Sequence, residues 1–247
     1  MSTIGWEGIE ERLGRVRARV LAASTRHGGK PALLLAVSKG QPAEALRAAY
    51  AVGQRDFGEN YVQELVKKAG ELADLPDLRF HLIGHLQRNK VKQALPHVSA
   101  VHSVDSAELA REIGKRVERE LPAPRRVFGE DARLPVLVEV SIAGEAQKGG
   151  CPPAGLEAVL GAVEACASLR LVGLMCVPPF VDDPALSRPH FEALAALRER
   201  HGGAPRLPEL SMGMTADFEE AVAAGSTVVR VGTAIFGSRA PRTPVGG

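Results

Sequence analysis

Cysteine is scarce in this chain, and its spacing argues against two classes of protein. The 247 residues contain three cysteines, Cys151, Cys166 and Cys176, and no two of them form the CxxC spacing of a metal site. An odd number without framework spacing is also unlike a disulfide-stabilised secreted domain. We therefore expect reduced thiols in a reducing compartment.

The chain also lacks a long hydrophobic run and a charge of one sign. Nowhere do about 18 apolar residues stand together, so no membrane span is expected. The N-terminal segment has no apolar h-region and has acidic residues early, so it is unlike a signal peptide. Lysine plus arginine is 31 against 29 for aspartate plus glutamate, so the net charge is +2 and does not indicate nucleic-acid binding. The basic segment 88–92 is interpreted as a solvated helix face. These features predict a cytoplasmic protein with neither membrane nor nucleic acid as a partner.

Apolar periodicity divides the chain into alternating helices and strands. A helix is predicted over 5–24, where Ile9, Leu13 and Val16 begin one apolar stripe. Short apolar runs predict eight strands, over 32–38, 55–58, 80–83, 100–103, 135–142, 170–175, a segment ending at 211, and 227–231. Predicted helices follow over 42–52, 60–72, 88–95, 106–120, 153–167, 185–200, 216–224 and 233–237. The segment 122–134 predicts a loop.

Strands that alternate with helices predict a parallel sheet. Eight such units suit a closed (β/α)₈ barrel, the TIM-barrel architecture, preceded here by an extra N-terminal helix. An open doubly wound sheet is the alternative, but the segment SKGQPAE after the first strand has no GxGxxG fingerprint. No linker or repeat divides the chain, so one domain is predicted over 1–247.

A lysine stands directly after the first predicted strand. Residues 31–38 read PALLLAVS, an apolar run that is typical of a strand buried on both faces. Lys39 follows and would be held at the mouth of the barrel, where active sites lie. A lysine in such a place can act as a nucleophilic amine that forms a Schiff base. Taken alone, the segment also fits an exposed lysine that begins a loop.

Two segments near the C-terminus predict a phosphate site. Barrels often bind phosphate with the loops after strands seven and eight and a helix N-terminus. The loop Ser211–Thr215 offers two hydroxyls and is predicted to open a helix at Ala216, and Gly232-Thr233 precedes a second helical turn. Free N–H groups and the dipoles at both helix starts would attract a phosphate. The alternative for SMGMT is N-capping alone.

Arg230 is the unusual residue of the last predicted strand, because the run TVVRVGTAIF is otherwise apolar. It precedes Gly232 by two residues, so both lean to the same side of the strand. A buried arginine must be paired or bound to a ligand. The structural alternative is an ion pair with an acidic residue of the barrel, such as Glu139.

An amine, a phosphate cradle and an inward arginine at one barrel mouth together fit an aldehyde that carries a phosphate. Pyridoxal 5′-phosphate satisfies all three, with Lys39 as its aldimine lysine, the cradle on its phosphate and Arg230 on its ring nitrogen. Because arginine stays protonated, the ring nitrogen would stay neutral and the cofactor would be a weaker electron sink. A class I aldolase acting on a phosphorylated sugar is an alternative, although no acid/base partner for it is evident.

Seven segments resemble the pyridoxal phosphate homeostasis protein family. In chain order they are AVSKG, DFGENYVQE, FHLIGHLQRNK, HSVDS, GLMCVP, LSMGMTADFEEAVAAGS and VRVGTAIFG. They follow the family's order from about Leu33 to Gly237. The resemblance implies a fold-type III barrel like the N-terminal domain of alanine racemase, with pyridoxal phosphate bound through Lys39. It also implies a role in vitamin B6 homeostasis without an established catalytic activity.

The resemblance assigns roles to individual residues as well. Those implied to bind the cofactor are Lys39 at the aldehyde, Asn60 beside the ring, Arg230 at the pyridine nitrogen, and Ser211, Gly213, Met214, Gly232 and Thr233 at the phosphate. Thr215 stands where the family commonly has serine, which keeps the hydroxyl. The loop SIAGEAQKGG, which contains Lys148, only partly follows the family's SxExxKxG pattern, and His85 occupies a variable position.

A complete racemase apparatus is not expected in this chain. The related racemases add a β-domain whose catalytic tyrosine comes from a partner subunit, whereas the two tyrosines here, Tyr50 and Tyr61, fall in helical segments. The resemblance therefore implies a carrier of pyridoxal phosphate, monomeric and with apo-enzymes as acceptors, and no catalytic residues are assigned. A pyridoxal phosphate-dependent amino-acid racemase or decarboxylase remains the alternative.

Overall fold

Eight parallel strands close into a barrel, in the order β1 to β8 around the ring. The computed structural model describes residues 6–120, 132–144 and 149–237. The strands are β1 (Leu33–Val37), β2 (Asp56–Glu59), β3 (Arg79–Leu82), β4 (Ala100–Val104), β5 (Leu134–Glu139), β6 (Leu169–Met175), β7 (Glu209–Ser211) and β8 (Val228–Val231). Because β1 pairs with both β2 and β8, the sheet closes on itself. The predicted eight-stranded α/β barrel is confirmed.

Helices follow the strands and form the outer layer of the barrel. They are α1 (Ile9–Arg26), α2 (Ala43–Ala51), α3 (Val62–Glu71), α4 (Val91–Ala94), α5 (Ala107–Glu120), α6 (Leu156–Glu164), α7 (Arg188–Arg200), α8 (Gly203–Arg206), α9 (Phe218–Ala223) and α10 (Thr233–Phe236). The helix predicted over 216–224 begins later, at Phe218. The short helix α8 was not predicted, since a segment reading GAPR carries no periodic apolar signal.

The predicted extra N-terminal helix is present as α1 and completes the helix layer. It packs against α2, α9 and α10 with a stripe of buried residues that includes Leu13, Val16 and Val20. Arg12 also donates from Nε to the carbonyl oxygen of Ile235 in α10, at 2.7 Å. Because α10 has only four residues, α1 covers the wall near the junction of β8 and β1.

Side chains alternate between the barrel interior and the helix layer along each strand. Most buried apolar residues belong to one large cluster between strands and helices. Two small apolar clusters are separate from it and occupy part of the interior: Leu35, Ile83 and Val228 in one, and Leu137, Val172 and Met175 in the other. Buried polar side chains share this interior, among them His81, His102, Ser211 and Arg230.

Two of the predicted loops fall partly on residues that are not described. Most of the predicted loop 122–134 lies outside the described residues, and so does Lys148. The strand predicted over 135–142 ends at Glu139, after which Val140 makes an isolated bridge to Cys151. The assignment of residues 1–247 to one domain stays a prediction.

Candidate functional site

Lys39 and Asn60 stand at matching positions on the same rim of the barrel. Val37 pairs with Gly58 across β1 and β2, and each of the two polar residues lies two positions farther along its chain. Both residues lie just beyond the strand ends, Lys39 in the turn after β1 and Asn60 directly after β2. The Lys39 side chain is half-buried there.

Gly232 stands at this rim on the other side of β1. Ala36 pairs with Val231 of β8, so the residue after Val231 lies beside the end of β1. A Cβ at Gly232 would come within 3.2 Å of the Val37 carbonyl oxygen, which is closer than most side chains tolerate. The missing side chain leaves the rim open between Lys39 and the end of β8.

A buried ion pair holds the backbone before Lys39. The Nζ of Lys68 donates to the Ser38 carbonyl oxygen and to Glu59 Oε1, both at 2.6 Å. The Ser38 hydroxyl donates to the same Glu59 oxygen at 2.6 Å. Burial raises the pKa of Glu59, and the charge of Lys68 opposes that rise. The pair thus joins β1 to β2 and α3 immediately beside the lysine.

Glu64 holds the backbone on the other side of Lys39. Its Oε2 accepts a hydrogen bond from the Gly40 N–H at 2.7 Å and another from Lys68 Nζ at 3.0 Å. Lys68 therefore links both anchors, one on each side of Lys39. This arrangement limits the freedom of the backbone and orients the Lys39 side chain at the rim.

The loop after β7 runs alongside β8 as an extension of the parallel ladder. Three hydrogen bonds join the two segments: Met212 N donates to Val228 O at 3.1 Å, Arg230 N to Gly213 O at 2.9 Å, and Gly232 N to Thr215 Oγ1 at 3.3 Å. The two segments predicted to form a phosphate site are therefore in contact. The exposed Thr233 follows this contact at the start of α10.

Gly213 and Met214 are constrained by the start of α9. Gly213 has φ of 91°, in the left-handed region, and a Cβ there would lie 2.5 Å from the Cβ of Ala221. The Met214 N–H donates to Asp217 Oδ1 at 2.7 Å. This amide already has an acceptor, so a phosphate would have to compete with Asp217 for it. Gly213 fits its predicted place by its backbone conformation.

Arg230 is buried and is held by neutral oxygen atoms. One terminal nitrogen donates to the Ser211 carbonyl oxygen at 2.6 Å and to the Ser211 hydroxyl at 2.8 Å, and the other donates to the Cys176 carbonyl oxygen at 2.8 Å. Among the described residues Arg230 forms no ion pair with Glu139, the structural alternative. Burial lowers the pKa of Arg230, although nearby acidic groups oppose this. Its Nε donates to none of the described residues.

Ser211 therefore contacts Arg230 and is fully buried. Its hydroxyl lies 2.8 Å from Arg230 and 3.0 Å from the Nδ1 of His102. The described hydrogen bonds place it behind the arginine, while Thr215 takes the position in contact with Gly232. The sequence indicated a hydroxyl-rich loop but could not show which hydroxyl faces which partner.

A buried carboxyl group lies at the same rim. Burial raises the pKa of Glu139 to about 7, the positive charge of Arg230 opposes that rise, and Asp105 adds to it. Asp105 itself pairs with His85 Nδ1 at 3.2 Å. A carboxyl group with such a pKa exchanges its proton near neutral pH. Sequence reasoning did not single out this property of Glu139, because burial in the folded barrel is its main cause.

Asn60 has a buried side-chain oxygen without a hydrogen-bond partner among the described residues. Buried polar atoms normally have partners, so this one is suited to a donor supplied by a ligand. It borders a rim cavity of about 290 Å³ whose other lining residues include Tyr61, Gly84, His85 and Lys90. The unpartnered Asn60 oxygen, the buried Arg230 without an ion pair among the described residues, and the Lys39 amine are groups that suit a polar aromatic aldehyde with a phosphate.

Neither a metal site nor a membrane-spanning helix is found among the described residues. Within 6–120, 132–144 and 149–237, no group of three or more His, Cys, Asp or Glu is arranged to hold a metal ion. In the same ranges, no helix has the length and apolar character needed to cross a membrane. The three cysteines are free thiols, and burial raises the pKa of Cys176, beside Arg230, to about 12.

Comparison with known proteins supports the same reading of the barrel. Residues 12–240 match the family described as alanine racemase, N-terminal domain. An alanine racemase of Corynebacterium glutamicum has a similar structure, with a TM-score of 0.64 over 93% of this chain and 60% of that chain, at 16% identity. That likeness defines the class of fold, a barrel of the alanine racemase N-terminal type.

Closer relatives identify the family within that class. Pyridoxal phosphate homeostasis proteins of Pseudomonas aeruginosa and Bos taurus are 42% and 41% identical to this chain. Each alignment covers 94% of this chain, with 96% of the bacterial and 88% of the bovine protein. PipY of Synechococcus elongatus, solved with pyridoxal phosphate bound, is 38% identical and has a TM-score of 0.75 over 92% of this chain and 99% of its own. The chain belongs to the pyridoxal phosphate homeostasis protein family, as its motifs predicted.

Proposed function

We propose that this protein binds pyridoxal 5′-phosphate at the barrel rim, with Lys39 as the covalent attachment point, and serves in vitamin B6 homeostasis. The main observation behind this proposal is that the ends of β1, β2 and β8 lie side by side at the rim. Lys39 after β1 lies between Asn60 after β2 and Gly232 after β8, and Gly232 contacts Thr215 of the β7 loop. PipY, a relative that is 38% identical, has been solved with this cofactor.

Each of these residues would bind a different part of the cofactor. The amine of Lys39 would bind the aldehyde carbon, and Asn60 Oδ1 would accept from a donor beside the ring. Thr215 and the amides near Gly232 and Thr233 would bind the phosphate, together with the backbone of Gly213. Arg230 would donate to the ring nitrogen, and Ser211 would hold the arginine in place.

The charge of Arg230 determines how reactive the cofactor becomes. When bound, pyridoxal phosphate supplies an aldehyde for amines and a ring that delocalises electrons. Arg230 keeps its own proton, because its pKa lies far above neutrality even in proteins. The ring nitrogen therefore receives a hydrogen bond without becoming protonated. This arrangement binds the cofactor firmly and withholds much of its power to stabilise a carbanion, which suits storage and delivery to apo-enzymes.

A test of attachment uses borohydride reduction followed by peptide mass spectrometry. The expected result is a phosphopyridoxyl group on Lys39 and its loss in Lys39→Ala. Lys90 lines the adjoining rim cavity and serves as the matched control lysine. Equal labelling of Lys90, or a protein that takes up no cofactor at all, would contradict the proposal. Delivery is tested separately, by activation of an apo-enzyme on mixing with the loaded protein.

One observation favours a second candidate, a pyridoxal phosphate-dependent racemase or decarboxylase. Glu139 is a buried carboxyl group at the rim whose pKa of about 7 suits proton exchange. The tyrosines do not supply such a group: Tyr50 is hydrogen-bonded to Asp77 and Tyr61 is exposed. Exchange of the α-proton of amino acids, followed by NMR in deuterated water, tests this candidate. Rapid exchange that is abolished by Glu139→Gln would support the enzyme hypothesis and contradict the carrier hypothesis.

A further inference from the structure

The barrel interior contains a continuous chain of buried polar side chains that leads away from Arg230. The Ser211 hydroxyl lies 3.0 Å from His102 Nδ1, and His102 Nε2 lies 3.1 Å from His81 Nδ1. His81 Nε2 lies 3.1 Å from Asp56 Oδ1. The contact between His102 on β4 and Ser211 on β7 crosses the barrel. Such interiors are ordinarily filled by branched apolar side chains. A row of buried polar side chains costs folding free energy unless every member is hydrogen-bonded.

The chain ends at the opposite face of the barrel. Asp56 is the first residue of β2, and Arg79, the first of β3, donates to both of its oxygens at 2.7 Å. A cavity of about 290 Å³ at this face is lined by Asp56, Arg79, His81 and His102, with Arg170 from β6 and Glu209 from β7. Arg230, by contrast, lies near the carboxyl end of β8.

One consistent direction can be assigned to all of these hydrogen bonds, beginning from the permanent charge of Arg230. Arg230 donates to the Ser211 oxygen, which leaves the Ser211 hydrogen to be donated to the other neighbour, His102 Nδ1. His102 then carries its hydrogen on Nε2 and donates to His81 Nδ1. His81 in turn carries its hydrogen on Nε2 and donates to Asp56. All described neighbours are satisfied in this one arrangement.

The electrostatics of both ends agree with this direction. Burial, then the neighbouring His81 and Arg230, lowers the pKa of His102 well below its ordinary value, so its ring stays neutral. Burial would raise the pKa of Asp56, but hydrogen bonds from His81 and Arg79 lower it to about 2. An anion at one end and a cation at the other polarise the bonds between them in the same sense.

We propose that Asp56, His81, His102 and Ser211 form a positioning relay that fixes the Arg230 guanidinium toward the ring nitrogen of the bound cofactor. This inference rests on the proposed function, since it assigns Arg230 to the cofactor. The relay also makes the cofactor sensitive to the far face of the barrel. Loss of the Asp56 charge weakens each donor in turn and loosens the hold of Ser211 on Arg230.

The first arm of the test uses the cofactor-free protein. Nitrogen-15 NMR of the imidazoles should show that Nε2 is the protonated nitrogen that bridges His102 to His81, and that His81 Nδ1 carries no hydrogen. The variant Asp56→Asn should shift the His102 resonances, although Asp56 reaches His102 only through His81. The matched control is Asp74→Asn, which breaks the bidentate Arg47–Asp74 pair on the outer surface. Nδ1 protonation on either ring would overturn the relay.

The second arm measures the bound cofactor. With pyridoxal phosphate labelled with nitrogen-15 in its ring, Asp56→Asn should shift the ring-nitrogen resonance and weaken binding by roughly fivefold or more, the usual range of coupling between sites. Asp74→Asn should do neither. If Asp56→Asn does not fold, Ser211→Ala carries the same test, and Ser211→Thr, which keeps the hydroxyl, should restore the wild-type signal. If the folded variants leave the ring-nitrogen resonance and the affinity unchanged, the four side chains have only a structural role and the relay is refuted. If the wild-type protein binds no cofactor, the proposed function is refuted. The first arm would still test whether the hydrogen-bonded relay exists, because it uses the cofactor-free protein.

Discussion

Replacing Lys68 by methionine removes the group that holds the backbone on both sides of Lys39. The methionine side chain has a similar length and no charge, so it fills the space but makes none of the three hydrogen bonds to Ser38, Glu59 and Glu64. The side chain of Lys68 is 6% exposed and that of Glu59 is fully buried. The change therefore leaves the buried Glu59 carboxyl group without its ion-pair partner, and only the Ser38 hydroxyl still donates to it.

The expected loss is about 3–5 kcal/mol of unfolding free energy, the usual cost of removing one partner of a buried ion pair. In a domain of this size each kcal/mol lowers Tm by about 2–4 °C, so we expect a decrease of about 10 °C. The double variant Glu59→Gln/Lys68→Met should recover part of this loss, since no unpaired charge is left. Lys67→Met is the matched control on the same helix, because among the described residues Lys67 forms only an exposed pair with Glu71 at 3.8 Å.

The pH dependence gives this prediction a definite sign. Burial raises the folded-state pKa of Glu59, so ionising it costs stability as the pH rises through its ordinary value. Without Lys68 that pKa rises further, and the deficit of Lys68→Met should be larger at about pH 8 than at about pH 5. Thermal unfolding monitored by circular dichroism measures it. A loss no larger than that of Lys67→Met, or one independent of pH, would refute the reasoning.

Three further predictions concern the rim and the far face. Glu139→Gln should stabilise the cofactor-free protein by roughly 2–3 kcal/mol at about pH 8 and little at about pH 5, because the raised pKa of about 7 makes its ionised form unfavourable above neutrality; equal unfolding curves would contradict this. Asp56 has a folded pKa of about 2, so its stabilising contribution should disappear as the pH falls from about 4 to about 2, and Asp56→Asn should show no such acid transition in denaturant titrations. Thr215→Val keeps the shape but removes the hydroxyl beside Gly232, and should weaken phosphate-dependent binding by about tenfold while pyridoxal without its phosphate binds as before; equal losses for both ligands would assign Thr215 a structural role.

Much of the barrel was predictable from local patterns. Short apolar runs that alternate with amphipathic segments report burial on two faces or on one, and burial is a local property of the sequence. The position of Lys39 after β1 and the inward placement of Arg230 follow from strand ends and from alternation along a strand. The motifs then supplied the family, which the relatives confirm.

The contacts made by the loop after β7 could not be predicted from the sequence and became visible only in the folded structure. The hydroxyls of Ser211 and Thr215 look equivalent in the sequence, yet one contacts Arg230 and the other contacts Gly232. The difference arises because the loop continues the ladder of β8, and a ladder sets which groups face each other by register. Helix α9 also begins at Phe218, two residues later than predicted, since the Asp217 side chain binds the Met214 amide.

The sequence by itself determined the alternation of strands and helices, the residue that ends each strand and the chemistry available at those ends. Only the tertiary structure decided which distant side chains meet. His102 and Ser211 are 109 residues apart, and Lys68 reaches the Ser38 carbonyl from 30 residues away. Closure of the sheet creates the first contact, and the packing of α3 beside β2 creates the second. Neither leaves a periodic signal in the chain, because periodicity records only whether a residue is buried, not what it is buried against.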